Sequence, residues 1–298
     1  MSTESAITIY DPAALQPGSI SIEEAASGFR FTEGPVWHPD GFLLFSDTPA
    51  NQIWQLFPDG SRQVYLSQSG FSGMDTTLLS DMIGSNGLAV AADKTLIICQ
   101  HGNHALACLR EGALTTLASH YKGRSFNSPN DVAIRSDGSI WFSDPPYGLK
   151  DQVLHPDSFQ PCGGVYRYKD GATERVCSDM AYANGVCFSP DETRLYVSSN
   201  HPDEATLWQY EVSANGSITG KSVLIQQNAD GIKTDGKGQL YLCTDNGILI
   251  VSAEGKKLAL LHLPESPANL AFLPDYTTFY TTARGSIFRV SGLPAHGA

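Results

Sequence analysis

NDVAIRSDGSIWFSD, residues 130–144, runs through a polar residue, a short apolar strand, an Asp-Gly turn and a second strand rich in aromatic and β-branched residues. The same order of features recurs elsewhere in the chain. It reads EGPVWHPDGFLLFSDT from Glu33, NGLAVAADKTLIICQ from Asn86 and NGVCFSPDETRLYVSS from Asn184. Two looser copies follow, DGIKTDGKGQLYLCT from Asp230 and NLAFLPDYTTFYTT from Asn269. Successive copies begin roughly 40–55 residues apart, the period of four-stranded propeller blades. The turn aspartates Asp40, Asp93, Asp137 and Asp191 each fall seven residues after the leading polar residue, whereas Asp235 and Asp275 drift by one or two.

A third strand follows each pair: NQIWQLF, HALACLR, GGVYRYK, TLWQYEV, GILIVSA and SIFRVSG. These alternate and favour β structure. Helical periodicity is absent over any useful length. The expected fold is all-β, a six-bladed propeller of four-stranded antiparallel blades forming one domain over residues 1–298. The segment before Glu33, including SISIEEA, is expected to supply a strand that closes the ring.

Pseudo-symmetry gives the repeats a chemical meaning. Equivalent positions lie at equivalent heights around the axis, and the leading residues are Glu33, Asn86, Asn130, Asn184, Asp230 and Asn269. Each carries a side-chain oxygen. If the first strand of each copy is innermost, they converge at one mouth of the central channel. Taken singly, Asn or Asp before a strand forms an Asx turn as readily as a ligand site. As a set, amide oxygens with two carboxylates make a hard oxygen site suited to one divalent cation, Ca²⁺ first. Mg²⁺, Mn²⁺ or Zn²⁺ can exchange into such a site, although zinc ordinarily takes His or Cys ligands.

The loops after the second strands surround the same mouth. They bring in Asp47, His101 and Asn103 of HGNH, the stretch DPPYG with Tyr147, Asn200-His201 and Asp245-Asn246, while GRSFNSPND brings Arg124. Arg124, Tyr147, His101, Asn103 and His201 are therefore the expected substrate-binding residues of the rim. DPPYG also reads as a rigid turn, and a lone histidine as a surface or core residue.

Bulk composition narrows the partners. The chain has 298 residues, with 19 Lys+Arg against 31 Asp+Glu and a formal net charge of -12. Phosphates would be repelled, so nucleic acid is not an expected partner. No run of eighteen apolar residues occurs, and the polar N-terminus lacks the basic head and apolar stretch of a signal peptide. A cytoplasmic protein is expected, with no membrane partner and an oligomeric state, monomer or dimer, left open. None of the six cysteines forms a C-x-x-C pair; most sit among strand residues, as small hydrophobes.

EGPVW, SPNDV followed by SDG and DPPYG, ANGVCFSPD and ADGIKTDG resemble the gluconolactonase branch of the senescence marker protein/regucalcin family. The resemblance runs from about Glu33 to the last repeat. It implies a propeller that hydrolyses sugar lactones with a divalent cation. By that resemblance Glu33, Asn184 and Asp230 bind the metal, and Asn130 lies at the metal and contacts substrate. Asp230 is also the catalytic residue, and Arg124 is the counterpart of a sugar-pocket arginine. One departure is visible: such relatives often carry an Arg pair after HGN, where this chain has His104-Ala105.

Lactone hydrolysis needs a polarised carbonyl, an activated water and charge stabilisation, which a cation and a carboxylate base can supply. The absence of a G-x-S-x-G elbow argues against a serine mechanism. Two other readings stay open on the residues. The same site would serve an aryl ester or an organophosphate ester. A non-catalytic propeller would instead present its rim to a protein, although G-H…W-D signatures are missing.

Overall fold

A computed structural model describes residues 7–12, 20–199, 201 and 205–294. Its strands form six small antiparallel sheets around an axis, and no α-helix occurs among the described residues. Blade one comprises Thr32–His38, Phe42–Asp47, Gln52–Leu56 and Arg62–Ser67. Blade two comprises Ser85–Val90, Leu96–Gln100, Ala105–Arg110 and Ala113–Ala118. Blade three is Val132–Ile134, Ile140–Ser143, Val165–Lys169 and Ala172–Cys177. Blade four is Ala183–Phe188, Arg194–Ser199, Thr206–Val212 and Ile218–Ile225.

The last two blades borrow from the N-terminal segment. Blade five is Ile232–Thr234, Leu240–Thr244, Gly247–Val251 and Lys257–Leu261, with Ile7–Ile9 added at its edge as a fifth strand. Blade six is Pro267–Phe272, Thr278–Ala283 and Ser286–Ser291, and Ser21–Ser27 is its outer strand. Ile22 stands opposite Val290 in that pairing.

The first strand of each repeat is innermost, and the six inner strands contact one another in sequence around the axis. Burial follows from alternation. A strand inside a blade turns successive side chains to opposite faces, and both faces meet a neighbouring blade. Six apolar clusters result, one at each blade interface. Leu44, Ile53, Leu88 and Ile98 fill the interface between blades one and two, for example. Phe45 and Leu43, one residue away from Leu44, fill the interface with blade six.

The motif glycines fix how closely the inner strands approach. A Cβ on Gly87 would lie 2.4 Å from the Asn130 carbonyl oxygen, and one on Gly185 2.5 Å from that of Asp230. In each case the glycine of one leading pair packs on the leading residue of the next blade. Second-strand serines complete the latch: Ser46 donates to the Asn86 carbonyl at 2.8 Å, Ser143 to Asn184 at 2.6 Å and Ser198 to Asp230 at 2.9 Å. Side chains of five leading residues, Glu33, Asn86, Asn130, Asn184 and Asp230, are thereby left to face the mouth.

Candidate active site

At one end of the axis a cavity of about 250 Å³ is lined by Phe31, Glu33, Met82, Asn86, His101, Asn130, Tyr147, Gln152, Asn184 and Asp230. Five of the six leading residues meet there. Asn269 does not: its Oδ1 accepts the Leu270 N–H at 2.9 Å and its Nδ2 donates to Asp131 Oδ1 at 3.3 Å. The amide is turned down the axis, toward a carboxylate that needs donors. Asp131, 2% exposed, also accepts the Val186 N–H at 2.9 Å and pairs with Lys233 Nζ at 3.3 Å. This network spans blades three to six beneath the cavity.

Glu33 and Asp230 are the two carboxylates of the ring. Burial raises the Glu33 carboxyl well above its ordinary value, and the Asp230 charge raises it further. Burial likewise lifts Asp230 to about 7, against a hydrogen bond from Asn184 that lowers it. Two like charges close together in a desolvated site each favour the protonated form of the other. A cation among them would remove that penalty.

The amides are tied to an aromatic and a histidine. Asn130 and Asn184 are hydrogen-bonded through their side chains at 2.8 Å, and Asn184 Nδ2 lies 3.4 Å from the Tyr147 hydroxyl. His101 Nδ1 is 3.0 Å from the Met82 carbonyl, and its Nε2 is 3.1 Å from the Asn130 amide. Both partners are oxygens that only accept, so a neutral ring donates to one of them at a time. Burial keeps the imidazole neutral by lowering it to about 4. On its other side the Asn130 amide donates from Nδ2 to Asn184 Oδ1.

These residues fit a hard divalent cation. The donors are two anionic oxygens and amide oxygens, and the histidine on the wall already uses its N–H to hold position. No group of three or more His, Cys, Asp or Glu that could hold a metal occurs among the described residues. The set that could is a carboxylate pair completed by Asn130 and Asn184, with Asn86 beside them.

Of the residues expected from sequence, Glu33, His101, Asn130, Tyr147, Asn184 and Asp230 come together. Arg124, Asn103 and His201 lie outside the cavity lining. Arg124 is exposed on a two-residue strand paired with His120–Tyr121, and Lys122 and Gly123 form the turn with positive φ. This hairpin projects it from the body of blade three. Asn103 instead anchors a loop, accepting the Ser72 N–H at 3.1 Å and donating to Gln100 at 3.3 Å. His201 packs on Tyr182 at 5.0 Å between ring centroids, and Tyr182 in turn on Tyr147 at 6.0 Å, so it backs the wall. Asn200 lies outside the described residues.

Asp47 and Asp144 also leave the rim. Asp144 is fully buried and accepts the N–H groups of Asn127 and Ser128 at 2.9 and 2.8 Å; Asp47 does the same for Arg30 and Phe31 at 3.1 and 3.2 Å. Each clamps the segment that leads into an inner strand.

Phe31, Met82 and Gln152 were not read from sequence. Met82 and Gln152 belong to two irregular segments that have no counterpart in the other repeats. These segments pair across the mouth: Ser80 N–H donates to Gly148 at 3.0 Å and Lys150 N–H to Leu78 at 2.9 Å. The signal for Phe31 was its place two residues before Glu33, but one apolar residue there is weak evidence.

Comparison with known proteins shows the family and the fold. Residues 31–285 match the family described as SMP-30/Gluconolactonase/LRE-like region. A gluconolactonase of Zymomonas mobilis is 32% identical over 97% of this chain and 86% of its own length. Pentonolactonase XacC of Haloferax volcanii is 23% identical over 86% of this chain and 82% of its own. Among solved structures, a gluconolactonase from Xanthomonas campestris superposes with a TM-score of 0.83 at 26% identity, covering 97% of this chain and 94% of that one. The calcium-binding protein regucalcin of Agrobacterium tumefaciens, at 19% identity, 94% and 96% coverage and a TM-score of 0.75, shares the fold.

Proposed function

Since the chain belongs to the SMP-30/gluconolactonase/LRE-like family, we propose that it hydrolyses a sugar lactone of the glucono-1,5-lactone type to the aldonic acid, with a divalent cation. The observation that carries this reading is the juxtaposition of Glu33 and Asp230 with the Asn130 and Asn184 amides around one axial cavity. Glu33, Asn130, Asn184 and Asp230 would hold the cation, Ca²⁺ foremost. When bound, it supplies Lewis-acid polarisation of the lactone carbonyl and neutralises charge that develops there.

The chain's own groups do the rest. Asp230 takes a proton from the attacking water, and its position beside Asn184 orients the carboxylate. Water adds to the carbonyl carbon, the ring C–O bond breaks, and the proton passes to the departing ring oxygen. An Asp that also holds a cation is a weakened base, so these two roles draw on the same oxygens. His101 fixes the Asn130 amide from behind, and Tyr147 closes the wall toward the sugar ring. Phe31 and Met82 keep that part of the cavity apolar.

The test is hydrolysis of glucono-1,5-lactone, followed by proton release, after chelation and after each of Ca²⁺, Mg²⁺, Mn²⁺ and Zn²⁺ is restored. Activity should vanish with chelator and return with at least one ion. A folded protein with no lactone turnover under any ion, but with turnover of aryl or organophosphate esters, would overturn the sugar-lactone reading.

A further inference from the structure

A second cavity of about 200 Å³ adjoins the first and shares Phe31 and Asp230 with it. Its walls come from blades five and six, on the opposite side of Asp230 from His101 and Tyr147. Asn228, Thr244, Asp245, Ser266 and Arg284 supply its polar groups. Several of these have hydrogen-bonding capacity that the fold does not use. Asn228 Oδ1 is buried without a hydrogen-bond partner. The exposed Arg284 guanidinium makes no hydrogen bond or ion pair among the described residues. Its backbone is nevertheless fixed, because the Arg284 carbonyl accepts the Thr32 N–H at 2.7 Å. Thr244 Oγ1 donates to Gly247 at 2.8 Å, which leaves its lone pairs open. Both Asp245 and Arg284 lie near enough to act electrostatically on Asp230.

Charge decides what such a cavity suits. Asp245 and Arg284 contribute one negative and one positive charge, and the shared Asp230 adds a second carboxyl group at the cavity's edge. It also holds both strong acceptors and strong donors. A hydroxyl group is donor and acceptor at once, and a carbon bearing hydroxyls satisfies both kinds of wall without adding charge. An anionic substituent would meet Arg284 but face Asp245 and Asp230 as well.

We infer that the second cavity is a subsite for the exocyclic hydroxylated carbon of a neutral lactone, with Asp245 and Arg284 as the residues that select for it. The inference rests on the lactonase reading. It places the ring and its carbonyl at Glu33, Asn184 and Asp230, and the exocyclic hydroxyl across Asp230 in the neighbouring cavity. Substrate length, rather than ring chemistry, is then read by blades five and six.

The experiment compares glucono-1,5-lactone with xylono-1,5-lactone, which lacks only the exocyclic CH₂OH. Wild type should favour the six-carbon lactone by about 10-fold or more in kcat/KM, well within the discrimination open to a site built to bond a substrate hydroxyl. Arg284→Met and Asp245→Asn should each narrow that ratio toward one, mainly through a higher KM for gluconolactone. Calorimetry with gluconate and xylonate should show the same loss of discrimination without turnover. Equal losses on both lactones, or a fall in kcat with KM unchanged, would overturn the subsite while leaving the lactonase reading intact. A wild-type preference for the 6-phosphorylated lactone that Arg284→Met removes would overturn it too, because the reader would be a cation alone. Hydrolysis of neither lactone by wild type would overturn the underlying reading, and the subsite with it.

Discussion

At the scale of single residues, the site is governed by what burial does to charge. Glu33 and Asp230 both favour protonation in the cation-free protein, and Asp230 moves from an ordinary 3.8 to about 7. A carboxyl raised in the folded state contributes stability that is fully present below its unfolded value and is lost as pH rises through the folded value. The cation-free protein should therefore lose thermal stability between about pH 4 and pH 7. Saturating Ca²⁺ should restore it most at pH 8, because the ligands must be deprotonated to hold the ion. Thermal melts with and without chelator across this range check it; a Ca²⁺ effect equal at pH 5 and pH 8 would contradict the carboxylate pair as its seat. Asp230→Asn should keep the fold, flatten this pH dependence and reduce kcat/KM by about 10²-fold or more. Near-normal turnover in that variant would remove Asp230 from the chemistry.

At the scale of elements, the recurring dipeptides and serines act between blades rather than within them. Gly185 is buried against Asp230 of the next blade, while Ser198 bonds the same carbonyl. The approach leaves no room for a methyl group, and overpacking of this kind costs about 1–3 kcal/mol. Gly185→Ala should lower Tm and also impair cation binding, because the displaced strand carries Asp230. An unchanged Tm would mean the two inner strands can separate at this height without penalty. Blade two shows the latch in altered form: where blades one, three and four have Ser46, Ser143 and Ser198, it has Cys99, whose sulfur faces the Asp131 carbonyl at 3.9 Å. Its thiol is raised well above the ordinary value, chiefly by burial. That cysteine is a packing group, as its place in LIICQ indicated.

For the whole molecule, the ring is the unit of stability. Each apolar cluster belongs to two blades, so no blade has a core of its own. Blade six takes Ser21–Ser27 as its outer strand, and Ala26 packs in the interface with blade one. Removing the residues before Phe29 would leave Ser286–Ser291 as a bare edge and thin the interface between first and last blades. The truncated chain should unfold at lower temperature and aggregate, as sizing and thermal melts would report. A truncated chain as stable and monodisperse as the full one would show that the ring holds without this strand. No helix among the described residues is long and apolar enough to cross a membrane.

The sequence by itself determined the blade count and the height of the leading residues. Both follow from local alternation and a repeating period, which survive translation into any packed ring. Glu33, Asn130, Asn184 and Asp230 were legible because equivalent repeat positions must be equivalent around the axis. Only the tertiary structure decided which way those side chains turn. Asn269 occupies the same repeat position yet points at Asp131, more than a hundred residues away in the chain. Arg124 sits near Asn130 in sequence but on a hairpin that carries it outward. Met82, Gln152 and Arg284 reach the site through irregular loops or from the last blade. Their positions depend on contacts between distant segments, which no local pattern encodes.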